Sequence, residues 1–122
     1  MKKLISAMFI LVSCFTTKAF SDGHAIKMGI ILGFTGPIES LTPAMAASAE
    51  LAFKEASDSG KLLGGKSIMI ERADSTCVDS AAATTAAEGL VSNGVLAIMG
   101  ADCSGVTGAI ATNVAVPNGV VM

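Results

Sequence analysis

Apolar residues along the chain gather in four short runs, which cover residues 26–33, 67–72, 95–99 and 120–122. The first, third and fourth runs are almost continuous, as in a strand that is covered on both faces of its sheet. The second run alternates between apolar and polar residues, which also favours a strand. The pattern therefore predicts four strands, of which the last has only begun at residue 122.

Three helices are predicted between these strands. Residues 43–57 are rich in good helix formers, and Pro43 suits the first turn of a helix. Asp79 is expected to cap a second, alanine-rich helix over residues 80–91. Ser104 is expected to cap a third helix, which is weakened by glycines in its first turns.

Strands and helices thus alternate along the chain. This order predicts an α/β fold, with a parallel sheet, right-handed crossovers and helices on both faces. Because the fourth strand stops soon after it starts, we expect residues 22–122 to be the N-terminal part of a larger exported protein.

The first 21 residues predict a secretory signal peptide. A positively charged start is followed by an apolar run over residues 4–15, and residues 19–21 place small side chains at a cleavage site. The run is too short for a membrane-spanning helix, which needs roughly 20 apolar residues. As an alternative, Cys14 could be the lipidated residue of a lipoprotein. We expect export to the periplasm in either case.

Charge and residue usage exclude several function classes. The chain has 122 residues, 52% of them hydrophobic, so it is not a disordered tail. Residues 22–122 keep five basic and ten acidic side chains, and no basic patch points to nucleic acid. With one histidine and scattered cysteines, the sequence predicts no metal site and no cofactor.

Two nucleotide-binding patterns are incomplete. Residues 60–67 match the phosphate-loop letters G-x-x-x-x-G-K-[ST], but here a helix precedes the loop and a strand follows it, which reverses the required order. The dinucleotide fingerprint fails because Ile31 stands where its second glycine belongs. His24 lies close to the mature N-terminus, and the chain has no G-x-S-x-G motif. We therefore predict a protein that is not an enzyme.

Residues with binding chemistry follow the second and third predicted strands. Cys77 and Cys103 form an even pair in an exported protein, which predicts a disulfide between two loops. Open α/β sheets bind ligands at the edge where these loops lie. Ser104 heads the third helix, and with the N–H groups of Gly105 and Val106 it could hold a carboxylate. An ordinary N-cap is the competing interpretation of this serine.

The chain also resembles a known family. The similar segments occur in the family's order and cover residues 26–37, 50–52, 63–66, 73–77 and 99–105. They resemble the N-terminal lobe of the leucine/isoleucine/valine-binding proteins, the periplasmic solute receptors of branched-chain amino acid ABC transporters. The paired cysteines and the Cys103-Ser104-Gly105 step are the most specific elements of this resemblance.

The resemblance implies two α/β lobes joined by a hinge, with the ligand in the cleft between them. It implies that Cys77 and Cys103 are bridged and that Ser104 donates to the ligand's α-carboxylate. Asp102 and Cys103, which precede this serine, would contribute to the pocket wall. Leu41 stands where the amino-acid receptors often carry a ring that packs on the ligand.

From these features we expect a monomeric solute receptor that feeds an ABC importer and binds branched-chain or related amino acids. A membrane permease would be its partner. Receptors of the same fold for amides, urea or aromatic acids remain alternatives, as does a ligand-binding sensor domain. A nucleotide-binding α/β enzyme is an alternative from a different class.

Overall fold

The computed structural model describes residues 25–122, so the predicted signal peptide, Cys14 and His24 lie outside the described residues. This part contains a parallel three-stranded sheet with the strand order β2-β1-β3. The strands are β1 (Ile26–Leu32), β2 (Ile68–Asp74) and β3 (Ala97–Gly100). The central strand β1 pairs with both neighbours in parallel, which confirms the predicted parallel sheet.

Each strand is followed by a helix. The helices are α1 (Thr42–Asp58), α2 (Ser80–Ser92) and α3 (Ser104–Ile110). A single 3₁₀ turn, Leu62–Gly64, connects α1 to β2. The third helix continues through a π-helical turn, Ala111–Ala115, and a last turn, Val116–Asn118. The predicted alternation of strands and helices is therefore confirmed.

Two of the three helices begin with the residues that the sequence predicts for their first turn or cap, and the third helix does not. Pro43 lies in the first turn of α1. The Asp79 carboxylate accepts hydrogen bonds from the N–H groups of Ala81 and Ala82, at 2.9 and 3.0 Å. The predicted cap at Ser104 is wrong, because the N-cap of α3 is Cys103. The preceding cysteine has extended angles, φ −122° and ψ 128°, so the serine is already the first helical residue.

The helices cover both faces of the sheet, as predicted. Successive side chains of a strand point to opposite faces, so Ile30 and Leu32 pack with Ala46 of α1. Ile31 packs on the other face with Ala83 of α2 and with side chains of α3. The fully buried alanines let each helix approach the sheet closely, which raises the packing density of both cores.

Among residues 25–122, the fourth predicted strand is represented by a single β-bridge to β3. Val121 forms a parallel bridge with Ala97, and its carbonyl accepts a hydrogen bond of 2.8 Å from the Ile98 N–H. This places the end of the chain along the outer edge of β3. The loop over residues 60–67 lies between α1 and β2, and this helix-to-strand order argues against a phosphate loop, as the sequence indicated.

Candidate functional site

Three loops meet at the carboxyl edge of the sheet, where parallel α/β proteins bind their ligands. Residues 33–41 connect β1 to α1, residues 75–79 connect β2 to α2, and residues 101–103 connect β3 to α3. Because β1 lies between its two neighbours, its loop starts between the ends of β2 and β3. The residues predicted to bind ligand, which are Leu41, Asp102, Cys103 and Ser104, all belong to this edge.

A disulfide joins two of these loops. Cys77 and Cys103 are bonded, with their Cα atoms 5.2 Å apart, which confirms the predicted bridge. The bridge also packs against the loop after β1. A Cβ atom added to Gly33 would lie 3.2 Å from the Cys77 Cβ and 3.3 Å from the Ile38 Cγ1. Only a glycine fits there without displacing its neighbours, so all three loops are in close contact.

The Asp102 carboxylate connects the strand ends by hydrogen bonds. Its Oδ2 accepts from the Gly33 N–H at 2.8 Å, and its Oδ1 accepts from the Ser75 hydroxyl at 3.4 Å. Ser75 is completely buried. The Gly33 carbonyl in turn accepts from the buried Thr42 hydroxyl at 3.1 Å, which fixes the start of α1. We call Gly33, Ser75, Asp102 and the disulfide the loop junction.

A second carboxylate, Asp74, organises the outer part of the same edge. It accepts hydrogen bonds from the Thr35 hydroxyl at 2.6 Å and from the Thr76 N–H at 2.8 Å. Burial alone would raise the pKa of Asp74, but these hydrogen bonds and those from neighbouring N–H groups hold the pKa below its ordinary value. The sequence pattern did not single out this residue as part of the site. Its signal was the Asp-x-Thr spacing of an Asx turn, in which the carboxylate accepts from the N–H two residues on.

Ser104 is the first residue of α3 and directly follows the loop after β3. It is exposed, and its hydroxyl has no hydrogen-bond partner among residues 25–122. Within the same range no side chain caps α3, so the first N–H groups of the helix are open to an acceptor. A helix start also carries a partial positive charge. The serine therefore stands beside the bridged Cys103 with its donors available to an anionic group.

Leu41 forms the apolar part of the edge. It immediately precedes α1 and is 60% exposed, so it presents an aliphatic surface rather than an aromatic ring. Residues 25–122 enclose no cavity, so the edge is an open wall rather than a closed pocket.

No cluster of three or more His, Cys, Asp or Glu side chains suited to a metal occurs in this range. No helix of the same range is both long and apolar enough to cross a membrane.

A parallel sheet with helices on both faces and an open, disulfide-linked carboxyl edge is the architecture of α/β domains that bind ligands at that edge. The chain belongs to the periplasmic binding protein family, whose family model matches residues 25–122. The fold is that of the N-terminal part of the type I periplasmic binding proteins. No curated protein matches the sequence.

Three solved structures illustrate what the chain is similar to. The branched-chain amino acid transporter substrate binding protein LivJ from Streptococcus pneumoniae, in complex with isoleucine, is 30% identical with a TM-score of 0.70. An extracellular ligand-binding receptor from Rhodopseudomonas palustris is 28% identical with a TM-score of 0.55. An ABC transporter protein from the same species has a TM-score of 0.63 at 24% identity, which supports the fold alone.

The similarity extends over most of this chain but over a small part of these structures. It covers 79% of the chain and 27% of the Streptococcus pneumoniae protein, and 79% and 25% for the extracellular receptor. For the third structure the shares are 78% and 28%. The chain therefore spans about a quarter of the length of the structures that it matches.

Proposed function

We propose that the chain is part of an extracytoplasmic solute receptor that delivers branched-chain or related amino acids to an ABC importer. Two findings support this proposal. The chain belongs to the periplasmic binding protein family, and a 30% identical structure is a branched-chain amino acid binding protein in complex with isoleucine. The receptor binds its solute and catalyses no reaction. It works as a monomer in the periplasm, which the signal peptide over residues 1–21 lets it reach.

The observation that carries the proposal is the free Ser104 hydroxyl at the uncapped start of α3. A serine that served only as a cap would use its hydroxyl on the N–H groups of its own helix. Here the hydroxyl and the open N–H groups can instead donate to the α-carboxylate of an amino acid. Cys103 and Leu41 line the wall beside it, and Asp102 belongs to the same loop as Cys103. A second lobe closes over the solute by a hinge motion and presents a new surface to the permease.

Replacing Ser104 tests the carboxylate contact. A hydrogen bond to a charged group contributes about 1.5–3 kcal/mol. Ser104→Ala in the full-length protein should therefore weaken the affinity for L-isoleucine by roughly 10- to 150-fold, as measured by isothermal titration calorimetry. Ser80→Ala is the matched control, because Ser80 is likewise the exposed first residue of a helix. Its affinity should stay at the wild-type value. Wild-type affinity in the Ser104 variant would show that the carboxylate contact lies elsewhere.

The aliphatic surface of Leu41 favours a second candidate ligand class. Without a ring at this position, a receptor for amides, urea or aromatic acids fits the same fold. A thermal-shift series of the full-length protein separates these classes, since a ligand at 100 times its Kd adds about 2.7 kcal/mol to the stability of the receptor. We expect stabilisation by L-isoleucine and none by acetamide, urea or benzoate, which represent the second class. Stabilisation by one of these three compounds and not by L-isoleucine would favour the second class.

A further inference from the structure

Asp102 is the residue at which the three loops of the binding edge are joined by hydrogen bonds. The disulfide connects the loop after β3 only to the loop after β2. The direct connection from the loop after β3 to the end of the central strand comes from Asp102, whose carboxylate accepts a hydrogen bond from the Gly33 N–H at 2.8 Å across 69 residues of sequence. Gly33 itself is buried, so loss of this acceptor would leave its N–H poorly hydrated.

The Ser104 hydroxyl lies two residues beyond this contact. The intervening Cys103 is bonded to Cys77, and its carbonyl accepts from Thr107 of α3. The start of α3 is therefore held to the loop after β2 by the disulfide and to the end of β1 by Asp102. Loss of the second connection leaves the α3 start held to β1 only indirectly, through the disulfide and the hydrogen bond of 2.9 Å from the Ser75 N–H to the Leu32 carbonyl.

We propose that the Asp102 carboxylate is a positioning residue, which sets the place of Ser104 relative to the end of β1 and thereby tunes ligand affinity. This inference rests on the proposed function, because it assigns Ser104 to the ligand. Each oxygen of Asp102 already accepts one hydrogen bond from the protein itself. The carboxylate therefore acts through its shape and acceptor positions rather than through an ion pair with the solute.

Two conservative variants separate shape from charge. Asp102→Asn keeps the length of the side chain, and its carbonyl can accept from Gly33 while its amide donates to the Ser75 hydroxyl oxygen. Asp102→Glu keeps the charge but moves the carboxylate by one methylene group. A positioning role predicts near wild-type behaviour for the asparagine variant and loss of function for the glutamate variant. A charge role predicts the opposite order.

Hydrogen–deuterium exchange of the full-length protein, with its disulfide intact, gives a readout that needs no ligand. Asp102→Ala and Asp102→Glu should speed exchange at Gly33 and in residues 104–108 by about fivefold or more, which corresponds to about 1 kcal/mol. Asp102→Asn should leave both regions near the wild-type rate. Asp79→Ala, which removes the cap of α2, is the matched control and should speed exchange only near Ala81 and Ala82. Wild-type exchange at Gly33 in the glutamate variant would overturn the proposal.

Calorimetry with L-isoleucine tests the link to Ser104. Asp102→Glu should weaken the affinity for L-isoleucine by about fivefold or more. In a protein that already carries Ser104→Ala, the same substitution should cause no further loss of affinity. Losses that simply add in the double variant would mean that Asp102 touches the ligand itself, which overturns the positioning role. If Ser104→Ala binds L-isoleucine as wild type, the assignment of Ser104 to the ligand's carboxylate fails, while the exchange rates still decide whether Asp102 holds the loop.

Discussion

Replacing both bridged cysteines by alanine should destabilise the receptor by an amount that follows from the loop that they close. Cys77 and Cys103 are separated by 26 positions in the sequence. Closing a loop of this length lowers the entropy of the unfolded chain by an equivalent of about 3.5 kcal/mol. Whole domains are stable by only about 5–15 kcal/mol, so this loss is a large part of the total.

The measurement is urea unfolding of the full-length protein as wild type, as the Cys77→Ala/Cys103→Ala variant, and as wild type reduced by dithiothreitol. The variant and the reduced protein should lose similar stability, in the range of about 2–5 kcal/mol that removal of native bridges costs. The variant should also bind L-isoleucine more weakly, because Ser104 directly follows Cys103. A loss below about 0.5 kcal/mol with unchanged affinity would refute the idea that the bridge holds the binding edge together.

The remaining predictions concern pH and the mature chain. Because hydrogen bonds hold the pKa of Asp74 below its ordinary value in the folded state, its contribution to stability is complete above about pH 3.9 and is lost as the pH falls through the lowered pKa. Below about pH 4 the melting-temperature difference between wild type and Asp74→Asn should therefore shrink. Intact mass of the exported protein should correspond to a chain that begins after Ser21. A mass with a lipid on Cys14 would contradict this cleavage site.

The sequence was a good guide to features that depend on neighbouring residues. The nearly continuous apolar run at β1 predicts a strand that is buried on both faces. In the structure Ile30 packs in the core on one face and Ile31 packs in the core on the other. Asp79 was predictable as a cap because the N–H groups that donate to its carboxylate lie two and three residues away. In the first case the apolar residues repeat with the period of a strand, and in the second the cap and its donors are close in sequence. Both features can therefore be recognised from the order of the residues alone.

The sequence was a poor guide where the partner is distant. The role of Asp102 depends on Gly33, 69 residues earlier, and that of Asp74 depends partly on Thr35, 39 residues earlier. Nothing in either local segment indicates these contacts, since the sheet order alone brings the residues together. The cap of α3 was misplaced by one residue for a related reason. The helix start is set by the extended backbone of Cys103, whose partner Cys77 belongs to another loop.

The disulfide and Asp102 constrain the binding edge in different ways. A covalent bridge fixes the distance between the loops after β2 and β3, and the loop after β2 is held to β1 by the Ser75 N–H, which donates to the Leu32 carbonyl at 2.9 Å. The hydrogen bond from Gly33 to Asp102 adds a direct connection, because it joins the loop after β3 to the end of the central strand. The Thr42 hydroxyl then extends the connection to the start of α1, next to Leu41. Loss of the bridge should therefore lower global stability most, whereas loss of the Asp102 contact should act mainly on local order and on affinity.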